Sequence, residues 1–357
     1  MNHIVVMAGG RGTRFWPKSR QQYPKHLIPF LNGKSLLQLT VERIKKSFPI
    51  RNIWIVTSKD HVALTRKQLP KAFHQHILIE PQGKNTAACI GLAAVHIADQ
   101  DPLGVFAAIP ADHYIQQAPA YLRSLKIAFQ LAEASRTVVT MGVKPTYPAT
   151  GYGYIQKGKQ IGSGGLKAFR VKRFVEKPNQ KIANRYLNSR SYLWNSGVFV
   201  WPVLKYLHDI KDHMPKLFAG LVVIANAVGK KDEDKITRQV YRQFKSISVD
   251  YGVMEKLKEV LVMRLDCGWS DVGSWESVFE LLKKDQSGNA VVGKAMLLQS
   301  QSSLVWSTES RLIATLGIGR LVIVDTPKAL LVCDMKHAQE VRKLVTQLEK
   351  QKRFDLI

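Results

Sequence analysis

The first half of the chain alternates short apolar runs with longer amphipathic ones, and this alternation limits the fold more than any other feature. The apolar runs are HIVVMA, NIWIVTS, HILIE, GVFAAI and TVVTMGV, and four helix-like segments separate them. Strands that alternate with helices of this length are typical of βαβ units and parallel sheets. We therefore expect an α/β fold with a Rossmann-like mixed sheet, in which most strands run parallel.

Residues that favour helix ends support this pattern. Ser35 precedes the segment LLQLTVERIKK, and Asn85 or Thr86 precedes AACIGLAAVHIA, so these side chains are placed to cap helices. Pro119 opens the segment AYLRSLKIAFQLAEA, as expected in the first turn of a helix.

The pattern changes twice further along the chain. After Gly142, GYGYIQKG, FRVKRFVEKP and NSGVFVWP predict strands, and helical segments follow at 203–227, at 232–244 and from Asp250. From about residue 287 the pieces are short, β-rich and broken by turns.

The β-rich tail predicts a second structural part. Asp334 is placed to cap a closing helix after it. We expect a larger domain over 1–285 and a small β-helix-like appendage with its helix over 286–357. That appendage offers a contact for a homodimer.

Composition excludes several classes of protein. Of the 357 residues, 45% are hydrophobic and 22% are charged, as in an ordinary globular protein. No apolar run approaches the roughly 20 residues of a membrane span, and no basic leader precedes the first strand. We expect a cytoplasmic protein without membrane insertion. Three widely separated cysteines predict buried thiols: Cys89, Cys267 and Cys333.

The net charge of +26 favours anionic partners. Such a charge attracts nucleic acid, acidic membranes or phosphorylated metabolites. The basic residues are spread along the chain, and neither a long Lys/Arg run nor the aromatic pattern of an RNA-binding sheet is present. We therefore expect no specific binding of nucleic acid.

A glycine-rich loop, AGGRGTR, follows the first strand from Ala8. Glycines let backbone N–H groups approach a phosphate closely, so the loop is a candidate phosphate cradle. It does not match GxxxxGK[ST]. It does not match GxGxxG either, because Phe15 stands where the third glycine of that motif would be. A tight turn with two surface arginines is the alternative interpretation.

Cations near the loop favour phosphate chemistry. Arg14 lies in it, and Lys25 follows further along, after the segment Phe15–Pro17, which would stiffen the exit from the loop. Nucleotidyl transfer needs several cations around developing negative charge and little covalent chemistry from the protein.

Further motifs follow in order along the whole chain. They are EPQGKNTAA from Glu80, IPADHYI from Ile109, GYGYI from Gly151, FVEKP from Phe174, WNSGVFVW from Trp194, SVDYGVMEK from Ser248 and GWSDVGSW from Gly268. With AGGRGTRFWPKSRQQYPKH, they resemble the mannose-1-phosphate guanylyltransferases of the sugar-nucleotidyltransferase group. The Phe15–Trp16 pair distinguishes this group from the glucose-1-phosphate enzymes, which usually have Leu after GTR.

The resemblance implies an enzyme that converts GTP and mannose 1-phosphate to GDP-mannose and diphosphate with Mg²⁺. It implies catalytic roles for Arg14, Lys25 and Asp112, and a metal site at Asp112 and Asp271. Two carboxylates with phosphate oxygens and waters suit octahedral Mg²⁺, although a lone Asp after a strand also serves as a helix cap. The implied nucleotide-binding residues are Ala8, Gly9, Gly10, Arg11, Gly12, Thr13, Glu80, Asn85 and Thr86, and the implied sugar-phosphate residues are Gly153, Glu176, Lys177 and Asn195.

The sequence leaves two alternative functions open. An enzyme for another sugar 1-phosphate, such as glucose or heptose, would share the reaction, and a non-catalytic regulatory homologue would share the fold. His26, Lys84 and Cys267 depart from the family pattern, but none is an implied metal ligand or catalytic cation.

Overall fold

The computed structural model describes residues 1–10, 12–31, 33–162 and 167–357. These residues form two compact units, and neither unit is one continuous stretch. The first unit comprises Met1–Gly9, Val41–Ala111 and Ile115–Trp269, and the second comprises Gly10–Thr40, Asp112–Tyr114 and Ser270–Ile357. The predicted boundary near residue 285 therefore lies within the second unit.

The strands are short and distributed over the whole chain. In chain order they are β1 Asn2–Ala8, β2 Pro29–Leu31, β3 Lys34–Ser35, β4 Ile53–Ser58, β5 Ile77–Glu80, β6 Val105–Pro110, β7 Tyr114–Ile115, β8 Val138–Val143, β9 Tyr154–Ile161, β10 Ala168–Val175, β11 Tyr192–Pro202, β12 Val260–Leu265, β13 Trp269–Ser270, β14 Ala290–Val292, β15 Ala295–Leu298, β16 Leu304–Ser307, β17 Ile313–Leu316, β18 Leu321–Asp325 and β19 Leu330–Asp334.

The helices of the described segments are mostly short and amphipathic. They are α1 Leu36–Ile44, α2 Val62–Gln68, α3 Asn85–Gln100, α4 Ala118–Ser135, α5 Gln180–Ser189, α6 Val203–His213, α7 Pro215–Ala225, α8 Glu233–Gln243, α9 Trp275–Leu281 and α10 Arg342–Lys350. None of these helices combines the length and apolar character needed to cross a membrane.

The first unit is built on a nine-stranded sheet in the order β5-β4-β1-β6-β11-β8-β12-β10-β9. Strand β1 pairs in parallel with β4, where Ile4 lies opposite Ile53, and with β6, where Val6 lies opposite Ile109. Only β11 and β10 run against the other seven strands. The predicted mixed sheet with mostly parallel strands is confirmed.

Most helix-end predictions hold. Ser35 and Gln38 bond reciprocally, since the Ser35 hydroxyl accepts the Gln38 N–H and the Gln38 side chain accepts the Ser35 N–H. Asp334 accepts the Lys336 N–H at 2.9 Å at the start of the closing helical segment. Pro119 lies in the first turn of α4.

One prediction about helix ends was wrong. Helix α3 starts at Asn85 itself without a side-chain cap, and the Thr86 hydroxyl instead accepts the N–H of Val249. The predicted helical segment 203–227 is confirmed as two helices, because Pro215 cannot continue α6 and begins α7. The predicted helical start near Asp250 is confirmed as a single π-helical turn, Asp250–Met254.

The second unit carries the β-rich tail. Strands β14, β16 and β18 stack in parallel, β15 pairs in parallel with β17, and β19 returns antiparallel to β18. In this stack Leu304 lies between Ala290 and Val322, and all three are buried. Parallel stacking of short strands is the arrangement of a β-helix, so the predicted β-helix-like appendage is confirmed.

The segment after the glycine loop forms part of the core of this same unit. The Phe15 ring lies 5.5 Å from the ring of Trp275, and Trp275 lies 5.7 Å from Trp306. The Trp16 indole donates to the carbonyl of Leu356 at 2.9 Å, and the Trp275 indole donates to the carbonyl of Trp16 at 3.1 Å. The aromatic pair near the N-terminus is therefore packed against the C-terminal segment.

We predict that Trp275→Ala lowers the free energy of unfolding by about 3–5 kcal/mol, because it removes a fully buried ring from this cluster. Chemical denaturation followed by circular dichroism measures the change. Leu330→Ala, at a half-exposed position of the same unit, is the control and should change the value by less than about 0.5 kcal/mol. Equal effects of the two substitutions would contradict the assignment of Trp275 to the core.

Candidate active site

Three residues predicted to act in catalysis or metal binding meet in the second unit. Lys25 is only 8% exposed, and its ammonium donates to Oδ2 of Asp112 at 2.7 Å. The same ammonium donates to the backbone carbonyl of Asp271 at 2.5 Å. Hydrogen bonds with one ionised partner are stronger than neutral ones. This buried cation therefore links two chain segments that carry the predicted metal ligands.

The close approach of Lys25 explains the last glycine of the loop. Gly12 has a φ of +63°, and a Cβ on it would lie 2.4 Å from the Cβ of Lys25. Its carbonyl accepts the N–H of Phe15 at 3.0 Å and the hydroxyl of Ser19 at 2.6 Å. Gly12 is therefore required by packing against the predicted catalytic cation, whatever its amide does toward a phosphate.

The other loop residues lie as follows. Ala8 is the buried last residue of β1, and its carbonyl accepts the hydroxyl of Thr57 at 3.1 Å. Gly9 follows it, and Gly10 has a φ of +93°. Thr13 begins a short 3₁₀ turn. Arg11 lies outside the described residues.

Arg14 and Asp271 both border Gly273. A Cβ on Gly273 would lie 2.7 Å from Oδ2 of Asp271 and 3.3 Å from Nη1 of Arg14. Arg14 is exposed, so its guanidinium is accessible to a ligand. The second unit thus brings together both predicted catalytic cations and both predicted metal ligands.

The charge state of Asp112 suits a metal ligand. Burial raises the pKa of its carboxyl, but the charges of Lys25 and His113 and the hydrogen bond from Lys25 outweigh burial, so the pKa lies well below its ordinary value. The carboxyl is therefore ionised at neutral pH. Among the described residues, no group of three or more His, Cys, Asp or Glu side chains is arranged to hold a metal ion. The chain offers two carboxylates here, which fits a divalent ion that takes its other ligands from phosphates and water.

The four residues predicted to bind the sugar phosphate meet in the first unit. A Cβ on Gly153 would lie 2.4 Å from Oε2 of Glu176 and 3.2 Å from the Cβ of Asn195, so a side chain here would displace the Glu176 carboxylate. The Gly153 carbonyl accepts the N–H of Asn195 at 2.8 Å. The Lys177 ammonium contacts the Glu176 carboxylate, and Lys177 has a φ of +47°. Backbone conformations of this kind concentrate at functional sites.

Asp250 lies with these four residues, and together the five form what we call the sugar cluster. Asp250 was not predicted as a site residue. Its Oδ1 accepts the side-chain amide of Asn195 at 2.8 Å. Burial and the negative charge of Glu176 raise the pKa of the Asp250 carboxyl to about 6. The sequence marked Asp250 only as a helix start. An acidic residue inside the motif SVDYGVMEK was the one signal of its role.

Glu80, predicted to bind the nucleotide, is enclosed within the first unit. It ends β5 and is 4% exposed, and the hydroxyl of Tyr241 donates to its Oε1 at 3.4 Å. Burial raises the pKa of the Glu80 carboxyl to about 7. Asn85 is exposed with a φ of +68°, and its Oδ1 accepts the N–H of Thr86 at 2.8 Å. The nucleotide-binding roles of these three residues stay predictions.

The three residues that depart from the family pattern lie in different surroundings. His26 is buried beside Lys25, and its charge also lowers the pKa of Asp112. The Lys84 ammonium donates to the carbonyl of Arg242 at 3.3 Å. Cys267 is buried, and burial raises the pKa of its thiol to about 12.

Comparison with known proteins agrees with this architecture. The sequence pattern of the nucleotidyl transferase family matches residues 3–288, and that of the MannoseP isomerase/GMP-like beta-helix domain matches residues 293–348. The chain therefore belongs to the nucleotidyl transferase family.

Individual relatives show to which group of the family the chain belongs. A mannose-1-phosphate guanylyltransferase of Escherichia coli is 36% identical over 356 residues, which cover 97% of this chain and 75% of that protein. The xanthan biosynthesis protein XanB of Xanthomonas campestris pv. campestris is 36% identical over 352 residues, 97% of this chain and 73% of that protein. A crystal structure from Thermus thermophilus, described as a mannose-1-phosphate geranyltransferase, superposes with a TM-score of 0.87 at 33% identity over 98% of this chain and 99% of that one. Within the family, the chain belongs with the mannose-1-phosphate guanylyltransferases.

The raised pKa of Glu80 predicts a pH-dependent stability effect for Glu80→Gln. Between the ordinary value of 4.5 and about 7, the unfolded chain ionises this carboxyl while the folded chain keeps it protonated, so wild-type stability falls as pH rises. Gln does not titrate. The variant should therefore gain stability relative to wild type across this range, by about 3 kcal/mol at pH 8.

Urea denaturation at pH 4.5 and pH 8 measures this difference. Glu259→Gln, at an exposed carboxylate of the same unit, is the control. A Glu80→Gln effect that is the same at both pH values would show that Glu80 is ionised in the folded protein.

Proposed function

We propose that this chain converts GTP and α-D-mannose 1-phosphate to GDP-mannose and diphosphate. Relatives that match nearly the whole chain carry the name mannose-1-phosphate guanylyltransferase. The observation that carries the proposal is the contact of the buried Lys25 ammonium with Asp112 and with the Asp271 backbone. The relative XanB supports use of the product in polysaccharide synthesis.

The reaction is an in-line displacement at phosphorus. An oxygen of the sugar phosphate forms a bond to the α-phosphorus of GTP, and the bond from that phosphorus to the bridging oxygen of the leaving diphosphate breaks. The attacking phosphate is already ionised at neutral pH, so no general base is required. The protein's task is to position the two anions and to stabilise the charge that develops.

The residues of the second unit supply the positive charge. Lys25 is desolvated and held by two hydrogen bonds, so it needs little reorganisation to stabilise a transferring α-phosphate. Arg14 is exposed beside Asp271 and neutralises the diphosphate side. The backbone N–H groups of Gly9, Gly10, Gly12 and Thr13 would bind the phosphates. Mg²⁺ held by Asp112 and Asp271 would lower the charge of the triphosphate.

The residues of the first unit bind the sugar phosphate. Glu176 accepts hydrogen bonds from sugar hydroxyls, Asn195 offers its amide to them, and Lys177 offers a cation for the phosphate. Gly153 leaves the space that a side chain would fill. Cytoplasmic location, the homodimer and the domain boundary at residue 285 stay predictions.

We predict that Asp112→Asn and Lys25→Ala each lower kcat/KM by at least about 10²-fold, because the first removes a carboxylate that would hold Mg²⁺ and the second removes the cation that stabilises the transferring phosphate. Diphosphate release measured under saturating GTP gives the change, and circular dichroism checks the fold. Asp60→Asn and Lys294→Ala, at exposed positions, are the matched controls and should retain wild-type rates. Near-normal activity of Asp112→Asn or Lys25→Ala would overturn the proposed mechanism.

A substrate matrix tests the reaction itself. Diphosphate release should be fastest with GTP and mannose 1-phosphate among combinations of GTP, ATP, UTP and dTTP with mannose, glucose and heptose 1-phosphates. EDTA should abolish it and excess Mg²⁺ should restore it. A preference for glucose or heptose 1-phosphate would assign the alternative substrate, and no release with any pair would favour the regulatory homologue.

A further inference from the structure

The side-chain amide of Asn195 is held at both ends by the protein. Its Oδ1 accepts the N–H of Gly197 at 3.0 Å, and its Nδ2 donates to Oδ1 of Asp250 at 2.8 Å. A backbone N–H requires the oxygen of the amide, and a carboxylate requires its nitrogen. The two contacts therefore fix the orientation of the amide, with its oxygen toward the Gly197 N–H and its nitrogen toward the Asp250 carboxylate.

The amide retains a defined capacity toward a ligand. An Asn side chain has two N–H donors and an oxygen with two lone pairs. With one donor used by Asp250 and one lone pair used by Gly197, one N–H and one lone pair remain, in directions set by those partners. Asn195 also lies against Gly153 and beside Glu176, within the sugar cluster.

The segment that carries Asp250 is anchored in the core. The N–H of Val249 donates to the hydroxyl of Thr86 at 2.8 Å, and the N–H of Ala87 donates to the carbonyl of Ile247 at 3.3 Å. Val249 and Val253, on either side of Asp250, are fully buried. Asp250 is therefore held from outside the sugar cluster, so it does not depend on a ligand for its position.

The carboxylate at position 250 carries a cost. It is placed near the like charge of Glu176, and burial and that charge both disfavour its ionised form. An amide or a hydroxyl at this position would avoid the repulsion but would also offer a donor. An ionised carboxylate offers acceptors only, so it requires the nitrogen end of the Asn195 amide to face it.

We propose that Asp250 is a positioning residue, which fixes the Asn195 amide and thereby sets the preference between hexose 1-phosphates that differ at one hydroxyl. A hydroxyl that matches the remaining N–H and lone pair is bound. Its epimer leaves those polar groups unpaired, and a site built to hydrogen-bond a substrate hydroxyl discriminates strongly. This inference rests on the proposed function, because it concerns the sugar phosphate of that reaction.

The experiment compares Asp250→Ala and Asp250→Asn with wild type, using mannose 1-phosphate and glucose 1-phosphate. Asp250→Ala should raise KM for mannose 1-phosphate about tenfold or more and reduce the mannose-to-glucose preference by a similar factor, since it releases the amide. The KM for GTP should change by less than about twofold. Asp250→Asn keeps an acceptor for Nδ2 and should retain the preference within about threefold. Asp212→Ala, at an exposed position of the same unit, is the control and should match wild type.

A double-mutant cycle tests whether Asp250 acts through Asn195. The combination of Asn195→Ala with Asp250→Ala should show the same sugar preference as Asn195→Ala alone, because the amide to be positioned is already gone. Additive losses in the cycle would overturn the proposal, since Asp250 would then act independently of Asn195. An equal loss of activity with both sugars in Asp250→Ala, together with a lower melting temperature, would also overturn it.

Binding measurements separate this inference from the proposed function. Calorimetric titration of wild type and Asp250→Ala with each sugar phosphate reports the preference without turnover. If wild type releases no diphosphate, the proposed function fails, and the titration still decides the inference. Equal mannose-to-glucose affinity ratios in the two proteins would overturn it.

Discussion

The site of the second unit depends on one buried ammonium group. Removing Lys25 from water is costly unless charged and polar partners surround it. Asp112 and the Asp271 carbonyl are those partners, and they come from chain segments far apart in sequence. Because the lysine stem packs against the glycine loop, position 12 has no room for a Cβ. One cation thus packs against Gly12 and bonds to the acidic residue after β6 and to the turn near residue 271.

In the sugar cluster, carboxylates outnumber ammonium groups. Glu176 and Asp250 place two carboxylates near one another, with Lys177 beside the first. Such an arrangement reduces stability in the ligand-free protein, and its use is to present acceptors to hydroxyl groups. Glu80 differs from Glu176 and Asp250, because it is enclosed against Tyr241. Burial is the main cause of the raised pKa at both Glu80 and Asp250, and the negative charge of Glu176 adds to it at Asp250.

Sequence patterns were reliable where the interaction is local. The strands of the sheet, the capping of α1 by Ser35 and the β-rich tail follow from period, propensity and turn residues close together in the chain. The failures occur where a distant partner decides. Asn85 or Thr86 was expected to cap α3, but the Thr86 hydroxyl accepts an N–H from Val249. Asp250 begins a helical turn as expected, but the contact of its carboxylate with Asn195 was not predicted.

The sequence by itself determined the class of fold, the family and most of the candidate site residues, because ordered motifs and periodic apolar positions are properties of the chain. The tertiary structure decided what those residues contact. Phe15 and Trp16 distinguish the family by sequence, yet their side chains pack against the C-terminal segment of the second unit. Gly12 was predicted to be part of a phosphate cradle. The structure shows that Lys25 leaves no room for a Cβ at this position. Burial, hydrogen-bond partners and shifted pKa values depend on residues far apart in the chain, and no local pattern encodes those distances.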